Sequence, residues 1–313
     1  MTLKKGLHPR NRHRERYNFQ ELIKSWPPLG EFVSINKFNQ ESVDFSNAEA
    51  VMALNKALLK HFYGVEEWSI PENYLCPPIP GRAEYLHNVA DLLSSCNNNI
   101  LPPGKSVKVL DIGIGANCIY PILGNREYGW NFVGSDIDPV ALESANRIIS
   151  SNSFLRNTVE CRLQKGYSNI FKQVIQKDEF FDLSICNPPF HSSYAEAQEG
   201  TKRKWKNLGI KKNIQDSMNF GGVFTEICFK GGEEAFLTHM IEQSGLFAYN
   251  CLWFTSLVSK STNLPIMYDL LNKGLVSDIK TITLNHGNKT SRLVAWTYLD
   301  EEERGEWRRK RWS

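Results

Sequence analysis

The sequence predicts an α/β fold: a Rossmann-like, seven-stranded, mostly parallel sheet with helices on both faces, preceded by a helical or irregular N-terminal extension. From Lys105 onward, short apolar segments alternate with helix-length segments, as in parallel strands joined by crossover helices. A glycine-rich turn follows the first strong strand. The last two apolar segments are separated only by HGNKTS, which is too short for a crossover helix, so they form an antiparallel pair.

The extension covers residues 1–80, and the sheet domain covers residues 81–313. Tyr17 to Ser25 reads as a short helix that WPPLGEF ends, and NKFNQESVDFS is either a strand pair or irregular. A longer helix runs from about Ser46 to Gly64, and CPPIPGR links it to a helix at AEYLHNVADLLSSC. Strands are predicted at SVKVLDIG, NFVGSDI, TVECRLQ, FFDLSICN, YNCLWFTSLV, DIKTITLN and RLVAWTYL. The stretch 191–232 is long for a loop in such a domain, which is typical of functional segments.

Charge is distributed unevenly, although the 37 basic and 34 acidic residues nearly balance. Basic clusters lie in residues 1–16, in residues 202–212 and in residues 304–311, the last beside Trp307 and Trp312. Cations release counterions from phosphates and aromatic rings stack on bases, so three such clusters favour a nucleic-acid partner. Any one of them alone is equally well explained as a solvated surface.

The seven cysteines are scattered without a C-x-x-C pair, which argues against a disulfide framework and a structural zinc site. No apolar run approaches the roughly 20 residues of a membrane span, and no apolar segment of a secretory signal follows the basic N-terminus. We therefore expect a cytoplasmic protein that uses no metal and no membrane.

A cofactor site is predicted at VKVLDIGIGAN, where Asp111, Gly113 and Gly115 end the first strand of the sheet. Asp136 follows 21 residues after Gly115, at the end of the next strand, where a carboxylate accepts bonds from ribose hydroxyls. Cys118 stands where a dinucleotide motif has its third glycine, which disfavours a dinucleotide. The pattern resembles class I methyltransferases, which implies S-adenosylmethionine with its methionine end at Asp111 and the loop, and its ribose on Asp136. Asp138, before Pro139, is predicted to cap the next helix instead.

A catalytic motif follows the buried strand FFDLSIC: Asn187, Pro188, Pro189 and Phe190. It resembles the [DNS]-P-P-[FYW] signature of amino-group methyltransferases, although the tetrapeptide alone also suits a rigid turn. Adenine is one substrate with such an amino group, and its N6 is a poor nucleophile because the nitrogen lone pair is delocalised into the ring. The Asn187 side-chain oxygen and the Pro188 carbonyl can each accept one N6–H bond and aim that lone pair at the sulfonium methyl. The prolines hold both acceptors rigid, and Phe190 can stack on the base.

Four segments together, HPRNRHRERY, PPIPGRAEYLH, DIGIGANCIYPILG and CNPPF, resemble the bacterial 23S rRNA adenine-N6 methyltransferases of the RlmF family. These enzymes are related to the eukaryotic methyltransferase-like sixteen proteins. The resemblance implies methylation of one adenine, adenine 1618, in 23S rRNA or a large-subunit assembly intermediate. We expect the enzyme to be a monomer. The chain ends soon after the last strand, which favours one ribosomal substrate over varied hairpins.

By this resemblance, Arg82 would reach the cofactor pocket or the loop above it. The stretch after Phe190 would form a lid over the target base. The residues expected to contact RNA are Arg10, Arg12, Lys202, Arg203 and Lys204.

Three alternatives remain open. The same motif occurs in enzymes that methylate a protein glutamine amide, although such an enzyme has no need of three basic clusters. A vestigial methyltransferase could serve as an RNA-binding assembly factor, but it would have no need of an intact motif set. A DNA adenine methyltransferase usually has a larger target-recognition domain than this chain offers.

Overall fold

The described part of the chain, residues 6–192, 224–286 and 289–312 of a computed structural model, begins with a small N-terminal region. Asn18 caps its first helix, and its last helix ends at Gly64, as the sequence predicts, with Gly64 in the left-handed conformation at φ 60°. NKFNQESVDFS contributes one strand, Glu41–Val43, which pairs antiparallel with Val33–Ile35, the residues just before this stretch. The elements are α1 (Phe19–Ser25), β1 (Val33–Ile35), β2 (Glu41–Val43) and α2 (Ala48–Tyr63).

Helix α3 (Ile79–Ser95) joins this region to the sheet. It begins earlier than the sequence predicts, because Pro80 is tolerated in the first turn, where an amide would have no helical acceptor. The predicted boundary at residue 80 therefore falls inside the first turn. Side chains from both sides of it, such as Leu58 and Leu86, belong to one hydrophobic cluster. That residues 1–80 act as a unit of their own stays a prediction.

The sheet has seven strands in the order β5-β4-β3-β6-β7-β9-β8. The first five strands in that order are parallel, and β9 runs antiparallel between β7 and β8. The predicted strand set, the mostly parallel sheet and the antiparallel final pair are confirmed. The strands are β3 (Lys108–Ile112), β4 (Asn131–Asp136), β5 (Val159–Leu163), β6 (Phe181–Cys186), β7 (Cys251–Val258), β8 (Asp278–His286) and β9 (Lys289–Thr297).

Helices cover both faces of the sheet. Successive side chains of a strand point to opposite faces, so Val109 joins one hydrophobic cluster and Leu110 joins the other. The first cluster includes α2 to α5, and the second includes α7 and α8. The remaining helices are α4 (Ile119–Tyr128), α5 (Pro139–Ser151), α6 (Phe224–Ile227), α7 (Gly232–Ser244), α8 (Leu264–Lys273) and α9 (Glu301–Arg311).

The C-terminal helix α9 is fastened to the start of β6 by a buried carboxylate. Oδ1 of Asp182 accepts hydrogen bonds from the indole nitrogens of Trp307 (2.7 Å) and Trp312 (2.9 Å). Both rings are buried. The interpretation that these tryptophans stack on bases is therefore wrong, because they pack in the core, while Arg309 and Lys310 of this cluster are exposed. Within the described ranges, no helix is long and apolar enough to cross a membrane.

Candidate active site

A cleft lies at the carboxyl ends of β3, β4 and β6, where the glycine loop shapes one wall. Gly113 and Gly115 have φ angles of 77° and 64°, a region that glycine occupies without strain. The amides of Gly113 and Ile114 both donate to the Ser135 carbonyl at 2.9 Å, which ties the loop to β4. No atom lies within 4 Å of where a Cβ on Gly113 would stand. The loop therefore presents bare backbone to a ligand at the strand ends.

Asp136, at the end of β4, lines the same cleft. Its Oδ2 accepts from the Gly115 amide at 2.9 Å and its Oδ1 from the Asp138 amide at 3.0 Å. A carboxylate has about four acceptor positions, so capacity remains for hydroxyl donors. Burial raises the pKa of Asp136. Asp138 accepts from the Val140 amide and caps α5, as predicted.

Asp111, in β3, is a buried carboxyl whose two oxygens have no hydrogen-bond partner among the described residues. Burial, reinforced by Asp136 and opposed by Arg82, raises its pKa to about 8. Buried polar atoms are nearly always paired in folded proteins. An orphan carboxyl behind the glycine loop therefore fits a ligand that brings a cation or a strong donor.

Strand β6 delivers the catalytic motif to this cleft. Asn187 and Pro189 line it with Cys186, whereas Phe190 lies beyond the lining and is partly exposed. The Asn187 side-chain oxygen accepts from Nη1 of Arg82 at 2.7 Å. Arg82 is itself buried and also donates to the Tyr120 hydroxyl at 3.2 Å. The fold thus brings five predicted site residues to one cleft with Arg82: Gly113, Gly115, Asp136, Asn187 and Pro189.

Two segments flank the opening: residues 74–77, which overlap the link CPPIPGR, and residues 224–229, which lie in the long stretch 191–232. Glu226 Oε2 accepts from the Leu75 amide at 2.9 Å and so links them. Phe229 stacks on Tyr167 with ring centroids 5.3 Å apart. Leu75, Tyr167, Glu226 and Phe229 all line the cleft. No motif spacing connects these positions, so only the folded chain reveals them.

The basic residues proposed for RNA contact behave differently from the cleft residues. Arg10 pairs with Asp91 on α3 at 2.6 Å, and Arg12 pairs with Glu127 on α4 at 2.8 Å. Their side chains stay 38% and 46% exposed, so each keeps donors at the surface. Lys202, Arg203 and Lys204 lie outside the described residues. No group of three or more histidine, cysteine or acidic side chains suited to a metal occurs in the described ranges.

The sheet order and the placement of these loops define a class I, Rossmann-like methyltransferase. Residues 1–300 match the model of a family described as RNA methyltransferase, and the chain belongs to that family. It is 52% identical to the ribosomal RNA large subunit methyltransferase F of Cytophaga hutchinsonii, over 99% of this chain and 96% of that protein. It is 54% identical to the enzyme of that name from Serratia proteamaculans, over 99% of this chain and 92% of that one. The resemblance that the sequence indicates is thereby confirmed.

Solved structures agree on the fold. The hMettl16 catalytic domain in complex with the MAT2A 3'UTR hairpin 1 superposes with a TM-score of 0.80 at 27% identity, over 95% of this chain and 96% of that one. The N-terminal domain of human METTL16 in complex with SAH gives 0.72 at 25% identity, over 95% and 100% of the two chains.

Proposed function

We propose that this protein transfers the methyl group of S-adenosylmethionine to N6 of one adenine in 23S rRNA, adenine 1618 by family resemblance. The observation that carries the proposal is the meeting of Asn187 with the glycine loop and Asp136 in one cleft. The relatives named as large-subunit rRNA methyltransferases support the RNA substrate. The enzyme would act in the cytoplasm, as a monomer, on 23S rRNA or a large-subunit assembly intermediate.

The cleft fits the cofactor at three points. Asp136 retains acceptor capacity for ribose hydroxyls, and the open backbone at Gly113 leaves room for the methionine portion. The unpaired Asp111 is suited to attract the ammonium group of that portion. When bound, the cofactor supplies a methyl group on a positively charged sulfur.

The amine would be held by acceptors that the chain keeps rigid. An amide oxygen has two lone pairs, and Arg82 occupies one on Asn187 at 2.7 Å. This contact requires the oxygen, and not the NH₂ group, to point toward Arg82, so the second lone pair remains available for an N6–H. The Pro188 carbonyl accepts the other N6–H. With N6 so held, the methyl group would pass from sulfur to N6, and the extra proton on N6 would leave to water. Such a reaction depends mainly on alignment.

A protein glutamine amide is also a planar NH₂ group and fits the same acceptors. Membership of an RNA methyltransferase family favours RNA, and so do the exposed cations of the N-terminal segment. A vestigial enzyme is disfavoured, because Asn187, Asp136 and the glycine loop are all in place.

The test is a transfer assay with radiolabelled S-adenosylmethionine and 23S rRNA, or a precursor particle, from cells that lack the protein. Wild type, Asn187→Ala and the surface control Asn272→Ala are compared, followed by nucleoside analysis. We expect labelled N6-methyladenosine with wild type and the control, and a loss of at least about 100-fold with Asn187→Ala. Label in protein, or no label in RNA although S-adenosylhomocysteine binds, would contradict the proposal.

A further inference from the structure

A second concave surface, which we call the basic groove, lies at the opposite edge of the sheet, where β3, β4 and β5 begin. Its polar lining includes Asn157 and Thr158, and its charged lining consists of Lys105, Lys108, Arg156, Arg311 and Glu160. The cleft with Asn187 lies where the same parallel strands end. The basic groove is therefore separate from the candidate active site and has no part in the chemistry derived above.

Two cations of the basic groove are anchored by buried or nearly buried acids. Lys108 Nζ lies 2.6 Å from Glu179, and Arg311 Nε lies 3.1 Å from Asp182. Glu160 is itself held by Arg162 at 2.8 Å. The groove and its partners therefore carry five cations and three carboxylates, an excess of two positive charges: Lys105, Lys108, Arg156, Arg162 and Arg311 against Glu160, Glu179 and Asp182.

The excess charge resides on Lys105 and Arg156, which are exposed and form no ion pair in the described chain. Arg156 is oriented by a bond from its Nε to the Ser150 carbonyl at 2.9 Å, which leaves its two terminal nitrogens as donors. Lys105 is carried by the short turn Gly104–Ser106, whose backbone the Asn131 side chain holds at 2.9 Å. Two fixed cations and two freely accessible cations thus face one concave surface.

We propose that the basic groove binds the phosphate backbone of the RNA substrate, away from the target nucleotide. The inference rests on the proposed function, because it assumes an RNA substrate. A phosphate needs cations and hydrogen-bond donors, which the groove supplies. The one aromatic ring in its lining, Phe132, is buried, so the groove presents no ring on which a base could stack. The contact is therefore independent of base sequence and sensitive to salt.

The experiment compares wild type with Lys105→Glu/Arg156→Glu in binding to a 23S rRNA fragment over a range of salt concentrations. We expect affinity to fall roughly 10-fold or more, and the slope of log affinity against log salt to decrease by about 2, one for each lost phosphate contact. KM for RNA should rise, while kcat at saturating RNA and the affinity for S-adenosylhomocysteine stay unchanged, because the cleft is at the other edge.

Two further variants make the test specific. Lys60→Glu/Lys273→Glu reverses two exposed lysines outside the groove and should keep most of the affinity. Lys105→Ala/Arg156→Ala adds no acid and should show a smaller loss in the same direction, with an unchanged melting temperature.

Unchanged RNA affinity in both groove variants would overturn the inference. Equal loss in the lysine control would also overturn it, because only general charge would then matter. Selective loss of binding to an acidic protein, with RNA binding intact, would assign the groove to a protein partner instead. RNA binding is measured without turnover, so a wild type that binds RNA through the groove but does not methylate it would defeat the proposed function alone.

Discussion

Asp111 shows how much a single residue depends on its surroundings. A carboxyl with an ordinary pKa of 3.8 becomes, by burial without a partner, a group that titrates at about 8. Burial also raises the pKa of nearby Asp136, where hydrogen bonds from the Asp138 and Gly115 amides oppose the rise. We propose that the two acids have different tasks: Asp111, behind the glycine loop, is held for a cationic group, and Asp136, which lines the cleft, accepts bonds from hydroxyl groups.

We predict that cofactor binding depends on pH through Asp111. In the free protein this carboxyl is mostly protonated at pH 7, whereas an ammonium ligand requires the ionised form. The affinity for S-adenosylhomocysteine should rise as the pH approaches 8, and binding at pH 7 should release up to about one proton. Calorimetry in buffers of different ionisation enthalpy measures that release.

Asp111→Asn should weaken binding and abolish this proton release, whereas the exposed Asp269→Asn should leave both unchanged. Proton release by Asp111→Asn equal to that of wild type would show that another group titrates. An affinity that does not change between pH 6 and pH 8 would contradict the role of Asp111.

For single residues, the sequence predicts those site residues that lie at the end of a strand. Asp136 and Asn187 could be named because the ends of parallel strands meet at one edge. Glu226 could not, since its place depends on how the chain returns to the cleft. The ion pair between Arg10 and Asp91 could not be predicted either, because nothing in the sequence around one residue indicates the other.

Among the elements, the short helix α6 is tied to residues 74–77 by the hydrogen bond from the Leu75 amide to Glu226, and we predict that this bond slows cofactor release. Glu226→Ala removes the acceptor of the Leu75 amide, so residues 74–77 and 224–229 can separate. Association and dissociation of S-adenosylhomocysteine should both accelerate, roughly 10-fold or more for a charged acceptor. Stopped-flow fluorescence measures both rates.

Glu226→Gln keeps an oxygen acceptor and should retain most of the slow release. The exposed Glu234→Ala, on α7, is the matched control and should behave as wild type. If the glutamine variant released the ligand as fast as the alanine variant, the charge of Glu226, and not its bond to Leu75, would be responsible.

Helix α9 is held by the buried carboxylate of Asp182. We predict that removing this carboxylate lowers stability without affecting catalysis. Asp182→Ala leaves two indole donors and the Lys108 amide unpaired and Arg311 without its acid. The free energy of unfolding should fall by roughly 3–5 kcal/mol, as when a buried pair loses one partner. Urea denaturation followed by tryptophan fluorescence measures it.

The folded Asp182→Ala enzyme should keep kcat within about twofold, because Asp182 lies at the edge of the sheet opposite to Asn187. Glu302→Ala, exposed on the same helix, should change stability by less than about 0.5 kcal/mol. A stability loss below about 1 kcal/mol for Asp182→Ala would show that α9 is held by its apolar contacts alone.

The strands were predictable because apolar periodicity and connection length determine them locally. The seven strands and the antiparallel β8–β9 pair follow from that pattern. The early start of α3 and the burial of Trp307 could not be predicted from that pattern. A proline can begin a helix as well as interrupt one, and a tryptophan beside arginines has the same local pattern whether it packs inward or outward.

For the whole molecule, three buried or paired groups set the dependence of stability on pH. Burial, with Asp136, raises the pKa of Asp111 to about 8. Its contribution to the free energy of unfolding is therefore complete below about pH 4 and is lost as the pH rises to 8. Burial, with His8 and Arg10, lowers the pKa of His87 from 6.5 to about 3, so its contribution is lost as pH falls from 6.5. Burial would raise the pKa of Glu179, but bonds from Arg162 and Lys108 lower it to about 2, so its contribution is lost below about pH 4.5.

The unfolding free energy of the cofactor-free protein should therefore form a plateau between about pH 4.5 and 6.5, where the opposite slopes of Asp111 and His87 offset each other. It should decline above pH 6.5 by at most about 1.4 kcal/mol per pH unit, because Asp111 is the one of these three groups that titrates there. It should decline more steeply below pH 4, where His87 and Glu179 act together.

Urea denaturation at a series of pH values measures the profile. Asp111→Asn should remove the alkaline decline and leave the decline below pH 4 unchanged, and the plateau should become a rise from about pH 4.5 to 6.5, because the slope of His87 is then unopposed. A wild-type stability that rises from pH 6.5 to 8 would contradict the buried, protonated state of Asp111 on which both its stability and its cofactor predictions depend.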